Sequence, residues 1–366
     1  LFLIALFALL PFSLNAESAH YTAMGGFRTA CQIPGVRRAL HAIHHVDDPA
    51  LNCPLWGLNF PNPVGLAAGF DKGARWFNEL AALGFGHIEV GTITAHAQPG
   101  NPTPRLFRLP EDQALVNRLG FNNQGCEAAA ENLKHQKIRT ILGINIGKSK
   151  VTELDEATSD YLRSFERLYD FANYFTVNVS SPNTPNLRAL QDRDRLEDLL
   201  TALLLRNQEM AQAKGVAAKP ILLKIAPDLT EEQFDDIAQI LLDKQLSGLI
   251  ATNTTIERGG LNTPTQTVEA IGAGGLSGRP LRQRSRDVVR GMYRRLQGRV
   301  PIIGVGGIFD AEDAWQMMCA GASLVQVYTG FIYSGPGFVG RINRELSRRV
   351  AQEGYGHIHE IVGSKA

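Results

Sequence analysis

From residue 64 onward, short runs of β-branched and apolar residues alternate with helical patterns, and this alternation restricts the chain's possible folds more than any other feature. The runs are "VGLAAG" at 64, "HIEVGT" at 87, "TILGINIG" at 140, "YFTVNVSS" at 174, "ILLKIAP" at 221, "GLIATNTT" at 248, "PIIGVGG" at 301 and "LVQVYTG" at 324. All but "ILLKIAP" end in polar residues or glycine. The helices between them are also legible: after the fifth run, Thr230 and Gln233 form a capping box and Phe234, Ile237, Leu241 and Leu242 give one apolar face. Repeated β-α units over about 290 residues suit a closed (β/α)8 barrel better than an open doubly wound sheet, which usually has fewer strands and an early GxGxxG. The expected fold is therefore an α/β TIM barrel with a small helical extension at the N-terminus.

A chain of 366 residues, 44% hydrophobic, can bury a large core. Its 37 basic and 36 acidic residues leave a net charge of +1, with no global field of the kind that draws a protein to nucleic acid. The four cysteines, Cys31, Cys53, Cys126 and Cys319, form no CxxC pair, so they read as isolated thiols in a reducing compartment. The first sixteen residues carry no charge, but Pro11 interrupts them, and the apolar run is about half of the ~20 residues a spanning helix needs. A cleaved signal peptide competes for this segment but lacks a basic n-region. Joined to the next thirty residues, it reads as a short, mildly basic helical appendage, resting on a membrane surface or packed on the main domain.

In a barrel the carboxyl ends of all strands share one mouth. Those ends carry Lys72, Thr92, Asn145, Asn178, Ser181, Lys224, Asn253, Thr254, Gly306, Gly307, Tyr328 and Thr329. Carboxamides offer both donors and an acceptor, so a ring of asparagines suits a planar ligand with amide N–H and C=O groups, and the two lysines supply the complement for an anionic group. The plainer reading makes each asparagine a loop or helix cap. "GVGGI" ends the seventh run and "GAGGLSG" precedes it, at the position where many barrels bind phosphate through backbone N–H groups. No metal is expected: HExxH is absent, and His41 and His45 lie upstream of the barrel as surface residues. Lys224, set among apolar neighbours, fits either a Schiff-base role or a cation beside a flavin, and the residues alone leave both open.

The segments "GLAAGFDKGA", "PGNPTPRLFRLP", "NRLGFNNQG", "GINIGKSK", "NVSSPNTPNLRALQ", "KIAPDLT", "ATNTT", "GGLSGRPL", "IIGVGGI" and "GASLVQVYTGF" resemble, in order, the motifs of the dihydroorotate dehydrogenase family, in its membrane-associated, quinone-using class 2. The resemblance runs from about residue 12 across nearly the whole chain. It implies an FMN barrel that oxidises dihydroorotate to orotate in pyrimidine biosynthesis and passes the electrons to a respiratory quinone. It further implies Ser181 as the general base for the C5 proton, with the C6 hydride going to flavin N5, in a loop shaped by Pro182 and Pro185. Substrate contacts carried over position by position are Lys72, Asn117, Arg118, Leu119, Gly120, Phe121, Asn178, Asn183, Asn253 and Thr254. Flavin contacts are Ala68, Gly69, Phe70, Asp71, Lys72, Thr92, Asn145, Asn178, Lys224, Thr252, Gly278, Gly307, Tyr328 and Thr329.

By the same resemblance, residues 1–50 form a helical membrane and quinone-tunnel segment and 51–366 the FMN barrel, expected as a monomer held peripherally on the cytoplasmic side of the inner membrane. Soluble class 1 relatives place cysteine where Ser181 stands, which favours class 2. Two other readings predict different features. An FMN barrel using nicotinamide or fumarate would carry a cysteine near the fourth strand's loop, and a non-catalytic binding barrel would have lost residues at the mouth. The run "GRPLRQRSRDVVRGMYRRLQGR" carries eight arginines, which read as the solvated face of a barrel helix rather than as a lipid-binding patch.

Overall fold

All eight runs are strands, and their order in space is their order in the chain: β1 (Val64–Leu66), β2 (His87–Ile93), β3 (Ile141–Ile146), β4 (Tyr174–Asn178), β5 (Ile221–Ile225), β6 (Gly248–Ala251), β7 (Ile302–Val305) and β8 (Ala322–Val327). Parallel pairing of β5 with β6, and of β8 with β1, closes them into a barrel. The computed structural model describes residues 14–184 and 186–366. The apolar stretch at 1–13 and Pro185, both read above from sequence, lie outside the described residues.

The strands are buried on both faces. Ile88, Val90, Leu142, Ile144, Phe175, Val177, Leu223 and Ile225 are buried in one continuous core with helix residues such as Leu199, Leu203, Phe234 and Ile237. The alternate positions of β2, β3, β4, β5 and β8 carry Glu89, Asn145, Thr176, Asn178, Lys224 and Gln326, all buried. Lower in the barrel, glycine on one strand makes room for a ring on the next. A Cβ at Gly65 would stand 2.1 Å from His87 Nε2, and one at Gly143 would stand 2.1 Å from Tyr174 Cζ. Burial pushes the His87 imidazole down to about 3, so it packs as a neutral ring. A hairpin of Cys53–Leu55 and Leu58–Phe60 turns at Trp56 and Gly57, both with positive φ, and packs Phe60 on His87 at 5.3 Å.

Two helices precede the barrel, α1 (Ala16–Gln32) and α2 (Val36–His44). Asn15 caps α1 by accepting from Ser18 N at 2.8 Å, and α1 is held to the loop after β2 by the Glu17–Arg105 pair at 2.7 Å. Among the described residues, no helix is long and apolar enough to cross a membrane. After β5 comes α3 (Glu231–Asp243), with the Thr230–Gln233 capping box in place and Phe234, Ile237 and Leu241 buried. The arginine-rich run forms α4 (Arg282–Leu296), whose Arg295 bridges to Glu231 and Asp235 and whose Arg282 pairs with Asp313. Those ion pairs fit the barrel-face reading of the run.

A second sheet was not anticipated from sequence. Leu106–Leu109, Ala114–Asn117 and Gly275–Gly278 form an antiparallel three-stranded sheet, bringing together the long loops after β2 and β6. Leu109, Ala114, Val116 and Leu276 make its own small core, while Leu115, Asn117 and Ser277 face the barrel mouth. Alternation along the strand therefore builds one side into a core and the other into a roof.

Candidate active site

Roof and barrel mouth together line one cavity. Ala68, Gly69 and Lys72 reach it from the end of β1, Thr92 from β2, Asn178, Ser181 and Asn183 from the β4 loop, and Lys224 from β5. Thr252, Asn253 and Thr254 follow β6, Gly307 follows β7, Tyr328 and Thr329 follow β8, and Asn117, Leu119, Gly120, Phe121 and Gly278 come from the roof and its flanks.

The carboxamides hold one another. Asn178 Nδ2 donates to Thr92 Oγ1 at 3.0 Å and to Asn145 Oδ1 at 3.2 Å, and Thr92 Oγ1 donates to Asn145 Oδ1 at 2.6 Å. Asn178 Oδ1 accepts from Ser180 Oγ at 2.9 Å, and Ser180 Oγ accepts from Asn253 Nδ2 at 2.9 Å. Across the cavity, Asn183 Nδ2 donates to Asn117 Oδ1 at 3.1 Å, tying the serine loop to the roof.

Ser181 is buried, and its Oγ accepts from Asn183 N at 3.3 Å. Its loop is clasped from outside by Arg188, which donates to Ser180 O at 3.1 Å and to Thr254 O at 3.4 Å while pairing with Asp228 at 3.1 Å. One guanidinium thus stitches together the loops after β4, β5 and β6.

Burial lowers both lysines. Lys72 falls to about 8, with Glu17 partly restoring it, while Lys224 is lowered by burial and raised again by Glu89. Lys72 remains able to meet an anion at neutral pH. At the far end, Gly278 (φ 108) and Gly307 (φ 71) take left-handed backbone, and a Cβ on either would stand 2.3 Å from backbone atoms of Gln113 or Arg282. Ser277 Oγ and Thr329 Oγ1 lie 2.9 Å apart beside them, so this end offers bare backbone and hydroxyls. It is a cradle fit for a phosphate.

Four sequence-derived site residues sit elsewhere. Arg118 turns outward over the Phe107 ring and donates to Pro104 O at 3.1 Å and to Ile271 O, and so braces the roof. Asp71 accepts from Arg75 N and Trp76 N at 2.8 and 2.7 Å and holds the loop after β1; burial raises its carboxyl to about 6. Phe70 points toward α1, its ring 4.7 Å from His20. Asn145 does not line the cavity and acts through Thr92 and Asn178.

Other residues escaped the sequence reading. Gln326 lines the floor and Leu106, Leu115 and Ser277 the roof, while His20 joins Phe70, Tyr21 and Trp76 in an aromatic cluster between α1 and the barrel. Burial, followed by the nearby Lys72, pushes the His20 imidazole down to about 4. Glu89 and Gln326 did leave a signal, a polar residue at an alternate position of an apolar strand, which is the same signal that singled out Lys224.

The family profile "Dihydroorotate dehydrogenase" matches residues 50–350. A relative from Gloeobacter violaceus, named dihydroorotate dehydrogenase (quinone), is 49% identical over 97% of this chain and 96% of its own length. One of the same name from Christiangramia forsetii is 51% identical over 92% and 96%. The crystal structure of DHODH in complex with ferulenol from Eimeria tenella superposes with a TM-score of 0.85 at 38% identity, covering 95% of both chains. Matched by the family profile over residues 50–350 and by these relatives over more than nine-tenths of its length, the chain belongs to the dihydroorotate dehydrogenase family.

Proposed function

We propose that this chain oxidises dihydroorotate to orotate for pyrimidine synthesis, with FMN as resident cofactor and a quinone as final acceptor. One observation carries the reading: Lys72, the paired amides of Asn117, Asn183, Asn178 and Asn253, and the Ser181 hydroxyl all converge on one roofed cavity. Orotate is a flat ring of N–H and C=O groups bearing one carboxylate, and this donor set complements it.

The lining fits FMN as well. The glycine cradle at Gly278 and Gly307 suits its phosphate, and Lys224 supplies a cation inside an otherwise uncharged floor for the isoalloxazine. When bound there, FMN supplies the two-electron acceptor that the reaction requires. Lys72 holds the substrate carboxylate, and the amide ring fixes the heterocycle's plane. Ser181, buried under the loop that Arg188 clasps, takes the C5 proton from a site shielded from bulk water.

The preceding helices complete the scheme. Exposed Ile33 and Ile43, with Arg28 and Arg38, give α1 and α2 the apolar and basic character of a segment lying on a membrane surface. The His20, Phe70 and Trp76 rings pack between that segment and Tyr328 at the cavity wall, so a quinone held by the helices would lie beside the flavin end of the cavity. The test is spectroscopic: the purified protein should show a flavin spectrum that dihydroorotate bleaches, and a soluble quinone should restore it faster than fumarate or NAD. Absence of bleaching by dihydroorotate refutes the reading.

A further inference from the structure

Glu89, in the middle of β2, is fully buried and does not line the cavity, yet four donors converge on it. Asn145 Nδ2 reaches Oε1 at 2.8 Å, while Gln326 Nε2, Thr176 Oγ1 and Tyr174 OH reach Oε2 at 3.0, 3.1 and 3.3 Å. A carboxylate only accepts, so the Asn145 amide must direct its NH2 at Glu89 and its oxygen toward the mouth. That oxygen takes the Thr92 hydroxyl and the Asn178 NH2. Asn178 is left with its own oxygen for Ser180 Oγ; Ser180 Oγ in turn accepts from Asn253 Nδ2, and Asn253 Oδ1 accepts from Thr254 N at 2.8 Å. Every donor in this chain points toward Glu89, and bonds aligned in one direction reinforce one another.

We propose that Glu89 is a positioning residue for the substrate site: by accepting from Asn145 it turns that amide's oxygen toward the mouth, where, together with the backbone N–H groups of Ser180 and Thr254, it holds the sense in which Asn178 and Asn253 face a flat ligand. The proposal rests on reading the cavity as the orotate and flavin site. A ring with fixed N–H and C=O positions is bound only if each amide keeps its sense, because a flipped amide sets donor against donor.

The experiment titrates orotate into the flavin-loaded enzyme and follows the flavin absorbance. Glu89→Gln keeps the shape but places an NH2 against the NH2 groups of Asn145 or Gln326. It should retain flavin and raise the orotate dissociation constant at least about 10-fold. Glu89→Asp is the worse fit in shape but keeps the acceptor-only character, and should stay within about 3-fold of wild type. Tyr174→Phe removes a donor that lies outside the chain and should stay within about 2-fold. A role in packing alone predicts the reverse ranking of the Gln and Asp variants; that ranking, wild-type affinity in Glu89→Gln, or loss of flavin from both Glu89 variants overturns the proposal. No orotate response in the wild type overturns the reading of the cavity together with it.

Discussion

Ser181 has an ordinary hydroxyl whose hydrogen bond comes from a backbone N–H, so its basicity depends on the closed, dry loop around it. Ser181→Ala should leave FMN bound and slow flavin reduction by dihydroorotate by about 10² to 10⁴, read as stopped-flow bleaching; an unchanged rate would remove Ser181 from its role. Lys72 sets a pH limit. Its ammonium is the form that binds a carboxylate, and its acidity lies at about 8, so orotate affinity should be complete below that pH and fall as pH rises through it, by about tenfold per unit. Lys72→Met should weaken binding and flatten that slope in the same absorbance titration. At this scale Ser181, Asn117 and Asn183 were legible because local motifs carry them, whereas Glu89 was not, because its meaning depends on donors from β3, β4 and β8.

Among the elements, α3 could be read from its own residues because a capping box and one apolar face act within a few turns. Thr230→Ala should cost about 1 kcal/mol, seen as a lower denaturation midpoint with unchanged slope. The glycines of β1 and β3 are different in kind. Gly65 looks like any strand glycine until His87 of β2 fills the space where its side chain would be. Gly65→Ala should destabilise by about 1–3 kcal/mol or more through overpacking, measured in the same melts. The roof sheet eluded the sequence for a physical reason: its strands have four residues each, and Asn117 pairs with Gly275 from a distant loop, so neither segment carries enough pattern alone.

At the scale of the whole molecule, the helices before the barrel meet its roofed mouth at the Glu17–Arg105 pair. Both side chains are largely buried there, so breaking the pair strands a charge. Glu17→Ala, which leaves the Arg105 bonds to Pro99 O and Asn101 O in place, should therefore loosen α1, slow reoxidation by quinone severalfold or more and leave bleaching by dihydroorotate near wild type, the two half-reactions being timed separately. The sequence by itself determined the eight strands, their parallel order, the polar mouth and the serine loop, because strand periodicity, turn residues and motifs act over short spans. Only the tertiary structure decided that Arg118 and Asp71 brace loops, that a second sheet roofs the cavity, and that a buried carboxylate orients the amides. Each of these depends on groups far apart in the chain whose hydrogen bonds must be satisfied once water is gone.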